Sequence, residues 1–197
     1  MVKVNAQTSL HTYKNMSATI ELSNQVFTHD TIINVAKIIC KTGGKIRILN
    51  GANVKLIADV LQVDYPNFII DGRGNLGENG ADKGEWTSTP STPGPCFGCH
   101  NGHAQWESSG GIPDDIGGTG KNGGNGATVL IQYKIFQGTN GNQSNINCLT
   151  DGGKGGAGGR GRMLRCGDDP NTHIKYGPTG ARGIDGTKGN FTIIQLP

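Results

Sequence analysis

Residues 152–161 read GGKGGAGGRG, and their glycines recur with a period of three. Three other runs keep this period, with glycines at 74, 77 and 80, at 117, 120, 123 and 126, and at 177, 180, 183, 186 and 189. The period fits neither a β-strand nor an α-helix, but it is the repeat of the polyproline-II helix, which has three residues per turn. Each run therefore has one edge of bare backbone.

Three interpretations of these runs compete. A collagen triple helix needs a long series of proline-rich triplets, whereas each run here is short and Pro178 is the only proline in the runs. A disordered low-complexity segment is the second interpretation, since glycine-rich sequence often has no fixed structure. The third is a set of polyglycine-II rods that bond side by side through their backbones. We favour the rods, because two of the runs pass directly into the strand-like segments 127–136 and 190–196, where a disordered tail would not end.

Most of the ordinary strand signal lies in residues 1–70. Short segments there are rich in β-branched residues, several alternate apolar and polar side chains, and Gly43-Gly44, Asn50-Gly51 and residues 65–67 supply turn signals between them. No segment has the spacing of a long amphipathic helix. We therefore predict an all-β protein with very little α-helix. Residues 1–70 form the short-stranded part, which could be a small parallel solenoid. This part merges with a polyglycine-II bundle, formed by residues 71–197, in one continuous domain.

Composition and charge limit the function only weakly. Glycine accounts for 34 of the 197 residues, more than twice its usual share of about 7%. The net charge of +3 is too small to demand nucleic acid or an anionic membrane as the partner. The sequence shows no apolar run that is long enough for a membrane span and no signal peptide at residues 1–8. We expect an extracellular or virion-surface protein, with a cytoplasmic location left open, because phage structural proteins also lack such signals.

Segments 69–77, 117–126 and 152–161 look like bacterial glycine-rich, collagen-like proteins. They are also similar in design to the polyglycine-II tips of phage tail-fibre adhesins. This resemblance is one of pattern and extends over about residues 68–197. It implies a rigid bundle of rods whose variable end loops contact a surface protein or polysaccharide, and it supplies no catalytic residue.

One loop carries a motif with cofactor chemistry. Cys96–His100 matches the C-x-x-C-H pattern of covalent haem attachment, for which His103 or Met163 would be the second axial ligand. The same loop offers a tightly spaced donor set for zinc, which consists of Cys96, Cys99, His100 and His103. A loop that is pinned by a disulfide or has free thiols is the third interpretation. We expect no cofactor and keep zinc and covalent haem as alternatives.

The other cysteines raise the question of a second disulfide. Cys148 and Cys166 bracket the third glycine run, and a bond between them would close it as a loop that stabilises the fold by about 3 kcal/mol. The cysteine count of five leaves at least one thiol unpaired. We expect that thiol to be Cys40, which lies in an apolar strand.

The candidate ligand contacts are aromatic and basic side chains near the glycine runs. Trp86 and Trp106 flank the long loop 85–116, and exposed tryptophan often stacks on sugars or anchors protein partners. A cap on the end of the β core is the competing role for both. The remaining candidates are His103, Tyr176, Arg160 and Arg162, the arginines in a basic cluster with Lys154 and Arg165.

These observations favour a non-enzymatic, surface-binding or adhesin-like module that forms homo-oligomers and binds a polysaccharide or a protein receptor. No nucleophile, base and orienting group can be assembled by spacing, so an enzyme is not expected. Nucleic acid is not an expected partner. A structural filament or coat subunit is the first alternative, and a haem- or zinc-binding protein is the second.

Overall fold

The structure, a computed structural model, describes residues 11–64, 68–84, 97–100, 103–106, 116–138, 145–165 and 174–197. All the regular elements of these residues except one residue of 3-10 helix are β-strands, which confirms the all-β prediction. The strands are β1 (His11–Leu22), β2 (Val26–Phe27), β3 (Thr31–Cys40), β4 (Lys45–Ile48), β5 (Asn53–Val63), β6 (Phe68–Asp71), β7 (Phe97–His100), β8 (His103–Trp106), β9 (Thr128–Gly138), β10 (Ile146–Leu149), β11 (Met163–Arg165), β12 (Ile174–Tyr176) and β13 (Phe191–Gln195).

The chain divides into two compact units, each of which takes pieces from several parts of the sequence. Unit 1 contains residues 1–75, 124–153 and 186–197, and unit 2 contains residues 76–123 and 154–185. The expectation that residues 1–70 and 71–197 form one continuous domain stays a prediction.

Unit 1 is built on two parallel sheets. The first has the strand order β1-β3-β5-β9-β13, and the second has the order β10-β6-β4-β2. Their pairings are all parallel, and neither sheet closes on itself. Along the chain, strands of the first sheet alternate with strands of the second, so that neighbours in one sheet are joined by a passage through the other.

The hydrophobic core of unit 1 follows from the period-two pattern of these strands. Side chains alternate between the two faces of a strand, and in β5 the residues at 54, 56, 58, 61 and 63 are buried. Register places Leu56 between Ile33 of β3 and Ile131 of β9, and each of the three is at most 1% exposed. Burial of such side chains contributes about 1.5–3 kcal/mol each.

Two of the three predicted turns of unit 1 are confirmed, and the third, at residues 65–67, lies outside the described residues. Asn50 and Gly51 have φ values of 60° and 66°, and the N–H of Ala52 donates to the carbonyl of Leu49 at 3.2 Å. Asparagine and glycine tolerate this left-handed conformation better than other residues, which is why the pair lies between β4 and β5. Gly43 has a φ of 64° between β3 and β4.

Four glycine segments carry neither helix nor strand. We number them in chain order: segment 1 (72–84), segment 2 (117–127), segment 3 (150–162) and segment 4 (177–190). Unit 2 contains parts of all four, together with the hairpins β7–β8 and β11–β12. No helix in the described part of the chain is long and apolar enough to cross a membrane.

Candidate binding surface of the glycine segments

In unit 2 the glycine segments are joined by backbone hydrogen bonds that recur every third residue. The amides of Gly77, Gly80 and Lys83 in segment 1 donate to the carbonyls of Lys154, Ala157 and Arg160 in segment 3, at 2.8–2.9 Å. Residue numbers rise together in both segments, so this pair is parallel. Segments 2 and 4 form the second parallel pair. In this pair the amides of residues 117, 120 and 123 donate hydrogen bonds to the carbonyls of residues 178, 181 and 184.

Antiparallel contacts join the two parallel pairs. Gly156 and Gly159 of segment 3 donate to the carbonyls of Lys121 and Gly118 in segment 2, at 2.8 Å. Segment 4 donates to the same stretch of segment 3 through the amides of residues 180 and 183. Segment 3 thus bonds to all three other segments, and four of its glycines, Gly153, Gly156, Gly159 and Gly161, are buried.

Glycine is required at these positions for space. A methyl group on Gly156 would overlap the carbonyl oxygen of Glu78, and one on Gly80 would overlap the carbonyl oxygen of Gly118. Among the described glycines only Gly43 and Gly51 have a positive φ. The backbone angles of the segments therefore suit any residue, and the close approach of the neighbouring backbones is what excludes side chains.

Asparagine and aspartate side chains bond the outward amides of the segments, a role that the sequence analysis missed. In unit 2 the Oδ1 of Asn79 accepts the N–H of Ala157 at 2.9 Å, and the Oδ1 of Asp82 accepts that of Arg160 at 2.6 Å. The same arrangement joins Asn122 to Ile184 and Asp185 to Gly155, both at 2.8 Å. A sequence signal existed for three of them, since Asn79, Asn122 and Asp185 each directly precede a glycine of the period-three rows.

Charged side chains of unit 2 fall into paired and unpaired groups. Lys121 lies 2.6 Å from Glu78, and its hydrogen bond and positive charge lower the pKa of that carboxyl. Arg182 lies 2.7 Å from Asp185. Among the described residues, the side chains of Lys83, Lys154 and Arg160 have no such partner. All three belong to the pair of segments 1 and 3, in which Lys83 is next to Arg160, since its amide donates to the Arg160 carbonyl, and Lys154 is two triplets earlier in segment 3.

The predicted arginine and tyrosine contacts all belong to unit 2. Arg160 is exposed and Arg162 is half-buried in segment 3. Tyr176 is 51% exposed and is paired with Met163 across the β11–β12 hairpin. Trp106 is the last residue of β8, and Trp86 lies outside the described residues.

The predicted metal ligands are brought together only in part. In the antiparallel hairpin β7–β8, His100 is directly opposite His103, and Cys99 is opposite Ala104. Opposite positions share a face and successive positions alternate, so the two histidine positions share one face and Cys99 is on the other. Cys96 lies outside the described residues, within which no group of three metal-ligating side chains occurs. The zinc and haem hypotheses stay predictions.

Both cysteines of unit 1 have free thiols. Cys40 is buried in β3, which confirms the expectation that it is unpaired. Burial raises the pKa of Cys40 and of Cys148 to about 12, so both thiols are protonated at neutral pH. Cys166 lies outside the described residues, and the free thiol of Cys148 means that the predicted bond between the two is not formed in this structure.

An open groove of about 460 Å³ lies at the turns that enter β3 and β5 of unit 1. It is lined by Thr28, His29, Asp30, Asn50, Gly51 and Ala52. Its carboxylate, that of Asp30, accepts hydrogen bonds from the backbone and side-chain amides of Asn53 at 2.7 and 3.1 Å, and these bonds lower its pKa. That carboxylate therefore fixes the turn, and we assign no ligand to the groove.

Comparisons with known proteins give no indication of a function, so the geometry of the chain is its only basis. No protein-family model, no curated protein and no solved structure gives a match to this chain.

Proposed function

We propose that this protein is a non-enzymatic binding module in which rigid polyglycine-II rods present recognition loops to a surface polysaccharide or a protein receptor. The observation that carries this proposal is the period-three bonding of segments 1–4, with glycine at most of the positions whose amides donate. Three residues per turn is the repeat of the polyglycine-II and polyproline-II helix. We interpret the segments of unit 2 as a small bundle of such rods.

We also interpret unit 1 as a parallel solenoid. Each coil would contribute one strand to the first sheet and one to the second, as the alternation of β1 to β6 along the chain suggests. A solenoid buries its hydrophobic core by stacking successive coils. Such a scaffold, exposed on a cell or virion, suits a homo-oligomeric adhesin-like protein.

The rods would serve recognition by holding the loops in place. Residues 85–116 connect segments 1 and 2, and residues 163–176 connect segments 3 and 4. Association costs less free energy when the binding groups are ordered beforehand. Trp86, Trp106 and Tyr176 belong to these connections and supply the aromatic contacts that sugars and protein partners prefer.

Binding of the full chain to intact bacterial cells and to purified lipopolysaccharide tests this proposal. We expect the double variant Trp86→Ala/Trp106→Ala to lose at least tenfold in affinity with an unchanged melting temperature. Met16→Ala, which removes an exposed apolar side chain of unit 1, is the control and should bind normally. Retention of full affinity by the tryptophan variant would contradict the proposed role of the loop.

A structural filament subunit is the second candidate function, and the edge strand β13 favours it. Phe191–Gln195 pairs with β9 on one side, and no other described strand pairs with it. It contains neither charge nor proline, the usual protection of an edge strand. The opposite edge, β1, has Lys14 and a register irregularity between Asn15 and Thr19. An unprotected edge would accept a strand of a second copy.

Sedimentation velocity over a wide concentration range separates the two candidates. A filament subunit should form open-ended polymers that Ile194→Lys abolishes, because Ile194 lies in β13 and is 40% exposed. Ile184→Lys, at an exposed position of unit 2, should leave polymers intact. A monomer or a small closed oligomer at all concentrations would rule the filament out.

A further inference from the structure

We propose that the outward row of segment 3, formed by Lys154, Ala157 and Arg160 with Lys83 beside it, binds a linear anionic polysaccharide along its length. The inference deepens the proposed function and rests on its polyglycine-II interpretation. It places a ligand on the side of the rods, in addition to the loops at their ends.

The row is exposed, and its backbone is held in place. Lys154, Ala157 and Arg160 are all exposed, and the carbonyl of each accepts a hydrogen bond from segment 1 at 2.8–2.9 Å. The amides of Ala157 and Arg160 are bonded by the side chains of Asn79 and Asp82. Because both backbone groups of Ala157 and Arg160 and the carbonyl of Lys154 are hydrogen-bonded, the directions in which these side chains leave the rod are held, and less entropy is lost on binding.

The charges on this row are available to a ligand. In unit 2, Lys121 and Arg182 are each paired with an acid, whereas Lys83, Lys154 and Arg160 are unpaired among the described residues. Among the described residues, Asp82 is the one acid whose side chain hydrogen-bonds to this row, through the amide of Arg160. Three positive charges against one negative charge give the row a net attraction for an anionic polymer.

Spacing favours a polysaccharide over a nucleic acid. At about 3.1 Å per residue, successive residues of the row are about 9 Å apart, and Lys154 and Arg160 are about 19 Å apart. The longer distance, between the two charged positions, is close to the length of two linked disaccharides, so a polysaccharide with one charge per disaccharide can place an acidic group at each of them. A nucleic acid strand carries a phosphate about every 3.4 Å and is usually gripped by aromatic stacking as well. The side chain between Lys154 and Arg160 on the row is the methyl group of Ala157, which cannot stack on a base.

Hyaluronan fragments of graded length, with one carboxylate per disaccharide, are suitable probes, and neutral dextran is the uncharged comparison. We expect the full chain to bind hyaluronan and not dextran, with affinity rising once a fragment is long enough to span Lys154 and Arg160. Lys154→Gln/Arg160→Gln should weaken binding at least tenfold and make it less dependent on salt. Lys14→Gln/Lys55→Gln removes the same charge from the first sheet of unit 1 and should change affinity less than twofold.

Three results would overturn the inference. These are no binding of hyaluronan, an equal loss in both double variants, or binding of single-stranded poly(U) as tight as that of hyaluronan and equally sensitive to Lys154→Gln/Arg160→Gln. The outcome is distinguishable from failure of the proposed function. If the Lys154/Arg160 variant binds hyaluronan normally while the Trp86/Trp106 variant loses cell binding, only the role of the row fails.

Discussion

The buried hydrophobic side chains among the described residues all belong to unit 1, and none belongs to unit 2. In unit 1 they come from facing positions of two parallel sheets, such as Leu56 and Ile131. In unit 2 the buried positions are glycines, among them Gly156, Gly159 and Gly183. One chain thus contains a region that excludes water with side chains and a region that excludes it with backbone.

The two regions should therefore respond to opposite kinds of substitution. A core of side chains is weakened by removal of atoms, since cavities and lost burial both raise the free energy of the folded state. A bundle of touching backbones is weakened by addition of atoms, because the neighbouring backbone occupies the space that a Cβ would need. Each backbone hydrogen bond adds only about 0.5–1.5 kcal/mol net, so the glycine bundle depends on many bonds at once.

The largest effect is expected at the buried glycines of unit 2. Gly156→Ala puts a methyl group on the carbonyl oxygen of Glu78, and segments 1 and 3 cannot stay in contact there. We expect a loss above about 4 kcal/mol, seen as fast hydrogen exchange at the amides of residues 76–84 and 154–162. Gly84→Ala is the control, because no atom lies within 4 Å of its Cβ position. Native protection in the Gly156 variant would show that the segments are not packed backbone to backbone.

The second largest effect is expected when a buried side chain is removed from the core of unit 1. Leu56 is fully buried, and Leu56→Ala should reduce the free energy of unfolding by about 2–5 kcal/mol in urea titrations. Leu76→Ala makes the same chemical change in unit 2, where Leu76 is 75% exposed, and should have an effect below about 0.5 kcal/mol. If the two leucine variants were equally unstable, the contrast between the units would be wrong.

A third test concerns a charged group among the β-strands of unit 1. Asp71 ends β6, its side chain is 11% exposed, and its carboxylate contacts Lys45 at 2.8 Å and Arg73 at 2.9 Å. These contacts, the hydrogen bond from Arg73 above all, hold the pKa of Asp71 well below its usual range. The stabilisation is therefore present above the unfolded pKa of about 4 and is lost as the pH falls below it.

Asp71→Asn measures that contribution. We expect urea titrations at pH 7 to show a loss of about 1–3 kcal/mol. The difference from the parent protein should narrow as the pH is lowered below about 4, because the unfolded parent then binds a proton at Asp71 while the folded parent, with its lowered pKa, does not. Asp59→Asn breaks the exposed pair with Lys134 and should have an effect below about 1 kcal/mol. A pH-independent loss in the Asp71 variant would point to packing and not to charge.

Much of this contrast could be predicted from the sequence because both kinds of packing leave a period. A strand with one buried face repeats every two residues, as in β5, and a rod with one bare edge repeats every three, as in segment 3. The pairing of strands leaves no such period in the sequence. That β9 and β13 join the sheet of β1 and β3 follows from contacts between distant residues. The residue types alone were enough to find the candidate site residues. Which of the basic side chains are paired depends on which segments are neighbours: Lys121 and Arg182 contact acids, whereas Lys154 and Arg160 do not in the described part of the chain.

The smallest effects concern the side chains that complete the backbone bonding of unit 2. Asn79→Ala removes the acceptor for the N–H of Ala157, and we expect a loss of about 0.5–1.5 kcal/mol. Asn75→Ala is the control in the same segment, since the side chain of Asn75 makes no hydrogen bond with the described residues and only its carbonyl accepts one. Equal melting temperatures for the Asn79 and Asn75 variants would mean that the side-chain bond adds nothing.

Leu76 occupies the same row as Asn79 one triplet earlier, and by the period of three it is next to the amide of Lys154, which has no acceptor among the described residues. A leucine cannot accept that hydrogen bond, and its side chain is 75% exposed. We therefore expect Leu76→Asn to stabilise unit 2 by a few tenths of a kcal/mol up to about 1 kcal/mol, measured by hydrogen exchange at residues 154–162. Leu76→Ala separates the new bond from the mere loss of leucine. A gain with asparagine but not with alanine would show that unit 2 is stabilised by satisfied backbone groups, where unit 1 is stabilised by buried side chains.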